Sequence, residues 1–421
     1  MLSALAIATA CGMPAEDSAA DPDPQSYALD YRLEPDPAAA AVDVTLTVEQ
    51  SGHRLREVRF AFDPERFEGF TGDGVVNVED DAVRWFVPES GGALSWRVAA
   101  RIQRGDGGYD AWLDSDFGLL RVERLIPRAV TRTQKAAFSR TTMRFDLPDG
   151  WSAVSQYRET DGRFVVDNPL RRYDEPSGWL VMGRLGVRMD RIAGTRVVVA
   201  GPVGNDIRRL DMLTFLNWTL PEIARLAGPL PPRLTIVSAG EPMWRGGLSA
   251  SDSFYIHADR PLVSENGSST LLHETLHVVL GVRADPGFDW IVEGLAEYYS
   301  IGMLARAGGL SAERRDRALE AQATWAADAD VLCADPSTGP RTARAVTVFA
   351  ALDREIREAS DREHSLDDVL TRLLDSRPDA VNLDALNRAA VDLIGAPAQS
   401  LAPDALPGCP AAAPAVAEAA E

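Results

Sequence analysis

The chain has 421 residues, with 43 Lys+Arg against 63 Asp+Glu and a formal charge of −20. That length calls for two or three domains of ordinary size. Hydrophobic residues at 45 % and charged residues at 25 % exclude global disorder, and the acidic surplus argues against a nucleic-acid partner, whose phosphates need a basic footprint.

No run of 18 or more apolar residues occurs, so the sequence predicts no transmembrane helix. Residues 1–26 read as a signal segment and tether. The apolar run Leu2 to Ala10, followed by Cys11, resembles a bacterial lipoprotein signal, in which the Cys is lipidated after cleavage. That resemblance implies export, a lipid anchor on Cys11 and a place at the bacterial cell envelope. The rival reading is an ordinary secretory signal that contains a Cys. Residues 13–26, rich in Pro, Asp, Ala and Ser, read as the tether.

Residues 27–195 predict a sandwich-like β domain. Val42 to Val48 alternates with period two, as do Val58 to Phe62 and Leu94 to Val98. Asp73-Gly74, Asp106-Gly107-Gly108 and Asp149-Gly150 supply turns. Residues 196–300 mix strands (Arg196–Ala200, Arg233–Val237) with a helix over Arg208 to Ala227, where Pro221 is a candidate break. Residues 301–396 predict helices. Val346, Phe349, Leu352 and Ile356 make one apolar stripe, and Ser365-Leu366-Asp367-Asp368 resembles a capping box. Residues 397–421, mostly Ala and Pro, predict a disordered tail. The overall class is multidomain α+β. Cys333 and Cys409 are the two cysteines left beside Cys11, and in an exported protein they invite one disulfide.

Five histidines are few for this length, and two fall in His273-Glu274-Thr275-Leu276-His277. Four residues apart on a helix, His273 and His277 share a face and can hold one zinc ion. Glu274 stands beside them, placed to take a proton from water at the metal. Ser268, Ser269 and Thr270 offer helix caps, and Gly281 offers a stop. Trp290 to Tyr299 reads as a second helix. Its Glu293 can complete a His-His-Glu set with one position left open, which is the arrangement of a catalytic zinc. Glu297, one turn on, is a candidate to bind the second ring nitrogen of His273 or His277.

H-E-x-x-H followed by Trp290-x-x-Glu293-Gly294-x-Ala296-Glu297-Tyr298 resembles the gluzincin metallopeptidases of the thermolysin-like clan, nearest to the aminopeptidase N and glycyl-aminopeptidase families. The resemblance covers roughly residues 177–375. It implies an amino-terminal β domain, a thermolysin-like catalytic domain, a helical carboxy-terminal region, Zn2+ as cofactor and a peptide or protein substrate. Ser177 to Gly183 resembles a strand entering that catalytic domain. The chain departs from the pattern in three places. Ser249 in Gly246-Gly247-Leu248-Ser249 stands where those aminopeptidases carry the Glu that holds a free amine. No Tyr follows Tyr299, whereas the families use a later Tyr as oxyanion donor. Fifteen residues separate His277 from Glu293, about three fewer than usual, so the loop between them must be tight.

With no late Tyr, Ser253 to Asp259 becomes the place to look for that donor. If this strand edges the cleft, Tyr255 and His257, which share a face by period two, reach the substrate. Arg344 and His364 are further candidates, and His53 reads as a surface residue. The functional expectation is zinc-dependent hydrolysis of peptide bonds. The alternative keeps the fold and the zinc and assigns a binding or assembly role with no peptidase activity.

Overall fold

The computed structural model describes residues 25–168, 172–376 and 380–410. Cys11 lies outside the described residues. From Ser26 to Gly183 the described residues form strands and one 3-10 turn, Val122–Arg124. A seven-stranded sheet centred on Ser26–Asp36, Ala41–Glu49 and Gly91–Ala99 packs against a four-stranded and a five-stranded sheet. The period-two readings become one core face: Val42, Val44, Leu46, Val48, Val58, Phe60, Leu94, Trp96 and Val98 are all buried. Charged and polar residues between them face outward, as in strands covered on one side only.

A fourth sheet has five strands, in the order Leu185–Ile192, Thr195–Pro202, Arg233–Ala239, Ser253–His257, Gly247–Ala250. The middle three run parallel and both edges run antiparallel to them. Helix α1 (Arg209–Ala227) makes the crossover between the first two parallel strands and buries Leu213, Leu216 and Leu220. It runs through Pro221 without a break. The expected boundary at residue 195 is corrected. Leu185–Ile192 already belongs to this sheet, because Ala193-Gly194, both at positive φ, turn it straight back onto Thr195–Pro202. Trp179–Gly183, expected to enter this sheet, instead pairs within the five-stranded sheet of the β domain.

Among the described residues six α-helices follow: α2 (Thr270–Leu280), α3 (Asp289–Arg306), α4 (Ala312–Ala326), α5 (Pro340–Ala359), α6 (Leu366–Ser376) and α7 (Leu383–Ile394). The α5 stripe of Val346, Phe349, Leu352 and Ile356 is buried. Helix α6 starts as the capping sequence predicts, with the Ser365 N–H donating to Asp368 at 2.8 Å. One core joins the sheet to all seven helices, so the regions drawn as 196–300 and 301–396 are not separate units, and α3 crosses their border.

The expectation of disorder from residue 397 fails for 397–410. Two short 3-10 turns, Gln399–Leu401 and Pro403–Ala405, bury Ala398, Leu401 and Leu406 in that same core. Cys333 and Cys409 form a disulfide, with Cα atoms 4.9 Å apart. Composition pointed to disorder because the few apolar anchors are diluted by Ala and Pro.

Candidate metal centre

Helix α2 is built as its ends require. The Ser269 hydroxyl accepts from the Leu272 N–H at 3.3 Å, and Gly281, at φ 59°, closes the helix in the left-handed conformation. Leu271, Leu272 and Leu276 anchor one face in the core, which leaves His273 and His277 together on another. Helix α3 buries Trp290, Ile291 and Leu295 and brings Glu293 against the histidines. Gly294 permits this approach to α5, since a β-carbon there would lie 2.5 Å from the Ala345 side chain.

The short loop between α2 and α3 is clamped from outside. Asp285 N–H donates to the Val381 carbonyl at 2.9 Å, and Val381 N–H donates to the Arg283 carbonyl at 2.7 Å. Asn382 donates to the Asp285 carboxylate at 2.8 Å. Asp335 accepts from the N–H groups of Gly287 (2.6 Å) and Asp289 (3.2 Å), so it satisfies donors at the start of α3 that have no partner within the helix.

Three ligand atoms converge. Glu293 Oε2 lies 3.2 Å from His273 Nε2, and Glu293 Oε1 lies 3.2 Å from His277 Nε2. The two Nε2 atoms are 3.0 Å apart. Glu297 Oε2 stands 3.1 Å from His273 Nδ1, and Gln322 of α4 donates to Glu297 Oε1 at 3.1 Å. An Nδ1–H donated to Glu297 leaves the Nε2 lone pair of His273 aimed at Glu293 and His277. This donor set, two imidazoles and a carboxylate with an oriented second ring nitrogen, fits zinc. Without the ion the same geometry has electrostatic consequences. Burial pulls the His273 pKa down, but Glu293 and Glu297 outweigh it and hold it well above the imidazole range. Burial pushes Glu293 up, and contact with His273 and His277 outweighs that, holding it well below the carboxylate range.

Glu274 is buried, and burial pushes its pKa up against the pull of His273, His277 and Arg121. It faces the edge strand Gly247–Ala250. A β-carbon on Gly247 would lie 2.7 Å from both Cγ and Oε1 of Glu274, so only glycine lets strand and carboxylate meet there. Ser249 lies on this same edge strand.

The other candidate donors are corrected. Ser253–His257 is not the edge strand, because it pairs on both sides. Phe254 and Ile256 pack on α2, which turns Tyr255 and His257 to the opposite face of the sheet. Tyr255 is fully buried against Trp179 and donates to the Trp244 carbonyl at 2.8 Å. His257 is also fully buried, and its Nδ1 accepts from the Asp259 N–H at 3.1 Å. Arg344 donates to the Ala405 carbonyl at 3.2 Å, so it holds the carboxy-terminal turns. His364 faces Asp368 at 3.5 Å in the α5–α6 connection. His53, half-buried, contacts the Val87 carbonyl at 3.0 Å. Gln322 and the role of Gly247 were not foreseen. The paired glycines at 246–247 were a signal for the second, and nothing local marks the first.

No family model and no curated protein matches the chain in sequence. In structure it is similar to an aminopeptidase N family protein from Idiomarina loihiensis, with a TM-score of 0.69 at 14 % identity, over 91 % of this chain and 77 % of that one. At that identity the likeness speaks for the fold, a multidomain α+β arrangement of aminopeptidase type.

Proposed function

We propose that the chain is a zinc-dependent peptidase of gluzincin type. The observation that carries this reading is the meeting of His273, His277 and Glu293 around one point, with Glu274 buried between them and a free sheet edge. His273, His277 and Glu293 would hold the ion. When bound, zinc supplies Lewis-acid polarisation and a lowered pKa for water. Glu297, itself held by Gln322, fixes the His273 ring in the tautomer that presents Nε2. Among the described residues the strand Gly247–Ala250 pairs on one side only, so its other side can take an extended peptide by main-chain hydrogen bonds. That places the peptide past Gly247, beside Glu274. Glu274 then accepts the proton of the attacking water and returns it to the leaving nitrogen. Its burial favours holding that proton between the two transfers.

Digestion of a peptide mixture tests the reading. Zinc-loaded protein should cut, and a chelator should abolish cutting until zinc is restored. Zinc uptake without cleavage of any peptide would favour the rival, a zinc-holding fold with a binding or assembly role.

The apolar run before Cys11 supports placing the enzyme at the bacterial cell envelope on a lipid anchor. Labelled palmitate should enter the expressed protein and be lost in Cys11→Ser; label retained in that variant would contradict the anchor.

A further inference from the structure

The β-domain strand Phe117–Arg121 alternates in a way that sends one residue toward the catalytic unit without a partner. Phe117 and Leu119 pack with Trp179 and Val181 on the face turned to the catalytic sheet, while Leu120 faces the β-domain core. Period two puts Arg121 on the same face as Phe117 and Leu119, at the strand end. Arg121 is directly opposite Trp179 in register, and its guanidinium lies 5.2 Å from the Trp179 ring centre. The Trp179 indole N–H donates to the Leu248 carbonyl at 2.7 Å. Leu248 follows Gly247, the residue that touches Glu274. The guanidinium is therefore held, through one tryptophan, beside the stretch of edge strand that borders the general base.

Nearby charges do not account for it. Of the acidic groups that act on Arg121, Glu123 accepts from the Gly178 N–H at 2.8 Å and Asp110 pairs with Arg104 at 2.8 Å. The third is Glu274 itself. Among the described residues the guanidinium has no hydrogen-bond or ion-pair partner, and the side chain is half-buried, enough that burial lowers its pKa. A guanidinium over a tryptophan ring keeps its planar N–H fork for another partner, and that fork matches a carboxylate.

We propose that Arg121 is a specificity-determining residue contributed by the β domain, which binds a carboxylate of the substrate next to the bond to be cut. This rests on the peptidase reading above. The carboxylate can come from an Asp or Glu side chain or from a free carboxy terminus, and the test separates them. Zinc-loaded Glu274→Gln protein, expected to bind without cutting, is titrated by calorimetry with short acetylated peptides. One is a neutral amide, two are amides with Asp on either side of the centre, and one is the neutral peptide as free acid.

At least one acidic peptide should bind about tenfold more tightly than the neutral amide, the worth of a charge-assisted pair. Adding Arg121→Gln should erase that advantage while leaving the neutral amide within about twofold, and Arg121→Lys should keep part of it. Equal binding of acidic and neutral peptides, or an advantage that survives Arg121→Gln, overturns the proposal alone. Zinc uptake with no peptide bound in any arm overturns both it and the peptidase reading.

Discussion

At the scale of single residues, Gly247 and Glu274 form one unit. The glycine has no function of its own, yet its missing side chain is the space in which the carboxylate stands. Gly247→Ala must push either the strand or Glu274 aside. Displacement of a catalytic group by about 1 Å can cost on the order of 100-fold in rate. We expect kcat to fall by roughly that factor with zinc content unchanged; a variant as active as the parent would show that Glu274 is not held by this contact. The meeting of His273, His277 and Glu293 was legible in the sequence because its parts are local: His273 and His277 share one helix with Glu274, and Glu293 lies about one turn into the next. Tyr255 and His257 were misread because a period of two says which residues share a face and not which face it is. The packing of Phe254 and Ile256 on α2 decides that, through contacts far apart in sequence. Gln322 reaches Glu297 from another segment for the same reason, and no spacing rule finds it.

Among the elements, the start of α3 is the sensitive point, because Glu293 sits about one turn inside it. Asp335 binds the backbone at that start, and Asp289 in turn accepts from the Ser337 N–H at 2.8 Å. The disulfide from Cys333 to Cys409 anchors the segment that carries Asp335 to the carboxy-terminal turns. Closing a loop of this length stabilises a fold by about 2–5 kcal/mol. Cys409→Ser should lower the melting temperature and weaken zinc binding together, read by calorimetry and chelator competition. Lower stability with unchanged zinc affinity would mean that the bridge secures the tail and not the metal centre. The pairing was legible from the cysteine count together with the expectation of export. The order in residues 397–410 was not, since three buried apolar side chains in an Ala/Pro background leave little pattern.

For the whole molecule, the β domain does more than precede the catalytic unit. Phe117, Leu119, Trp179 and Val181 pack on Val237, Ala239 and Tyr255, so the β domain covers the face of the catalytic sheet that its helices leave open. That contact ties the edge strand to the β domain through the Trp179–Leu248 hydrogen bond, with Arg121 opposite Trp179 in register. The change from strands to alternating strand and helix and then to helices along the chain was legible in the periodicity. The borders were not, because a tight Ala193-Gly194 turn and a helix that runs past residue 300 join what composition separates. The account as a whole depends on Glu274 acting as the base beside a zinc ion. The direct measurement compares wild-type and Glu274→Gln proteins, each loaded to one zinc per chain as checked by elemental analysis, on the same peptide mixture. The account predicts equal zinc content and cleavage reduced by at least about 100-fold in the variant. Cleavage by Glu274→Gln at the wild-type rate would contradict it.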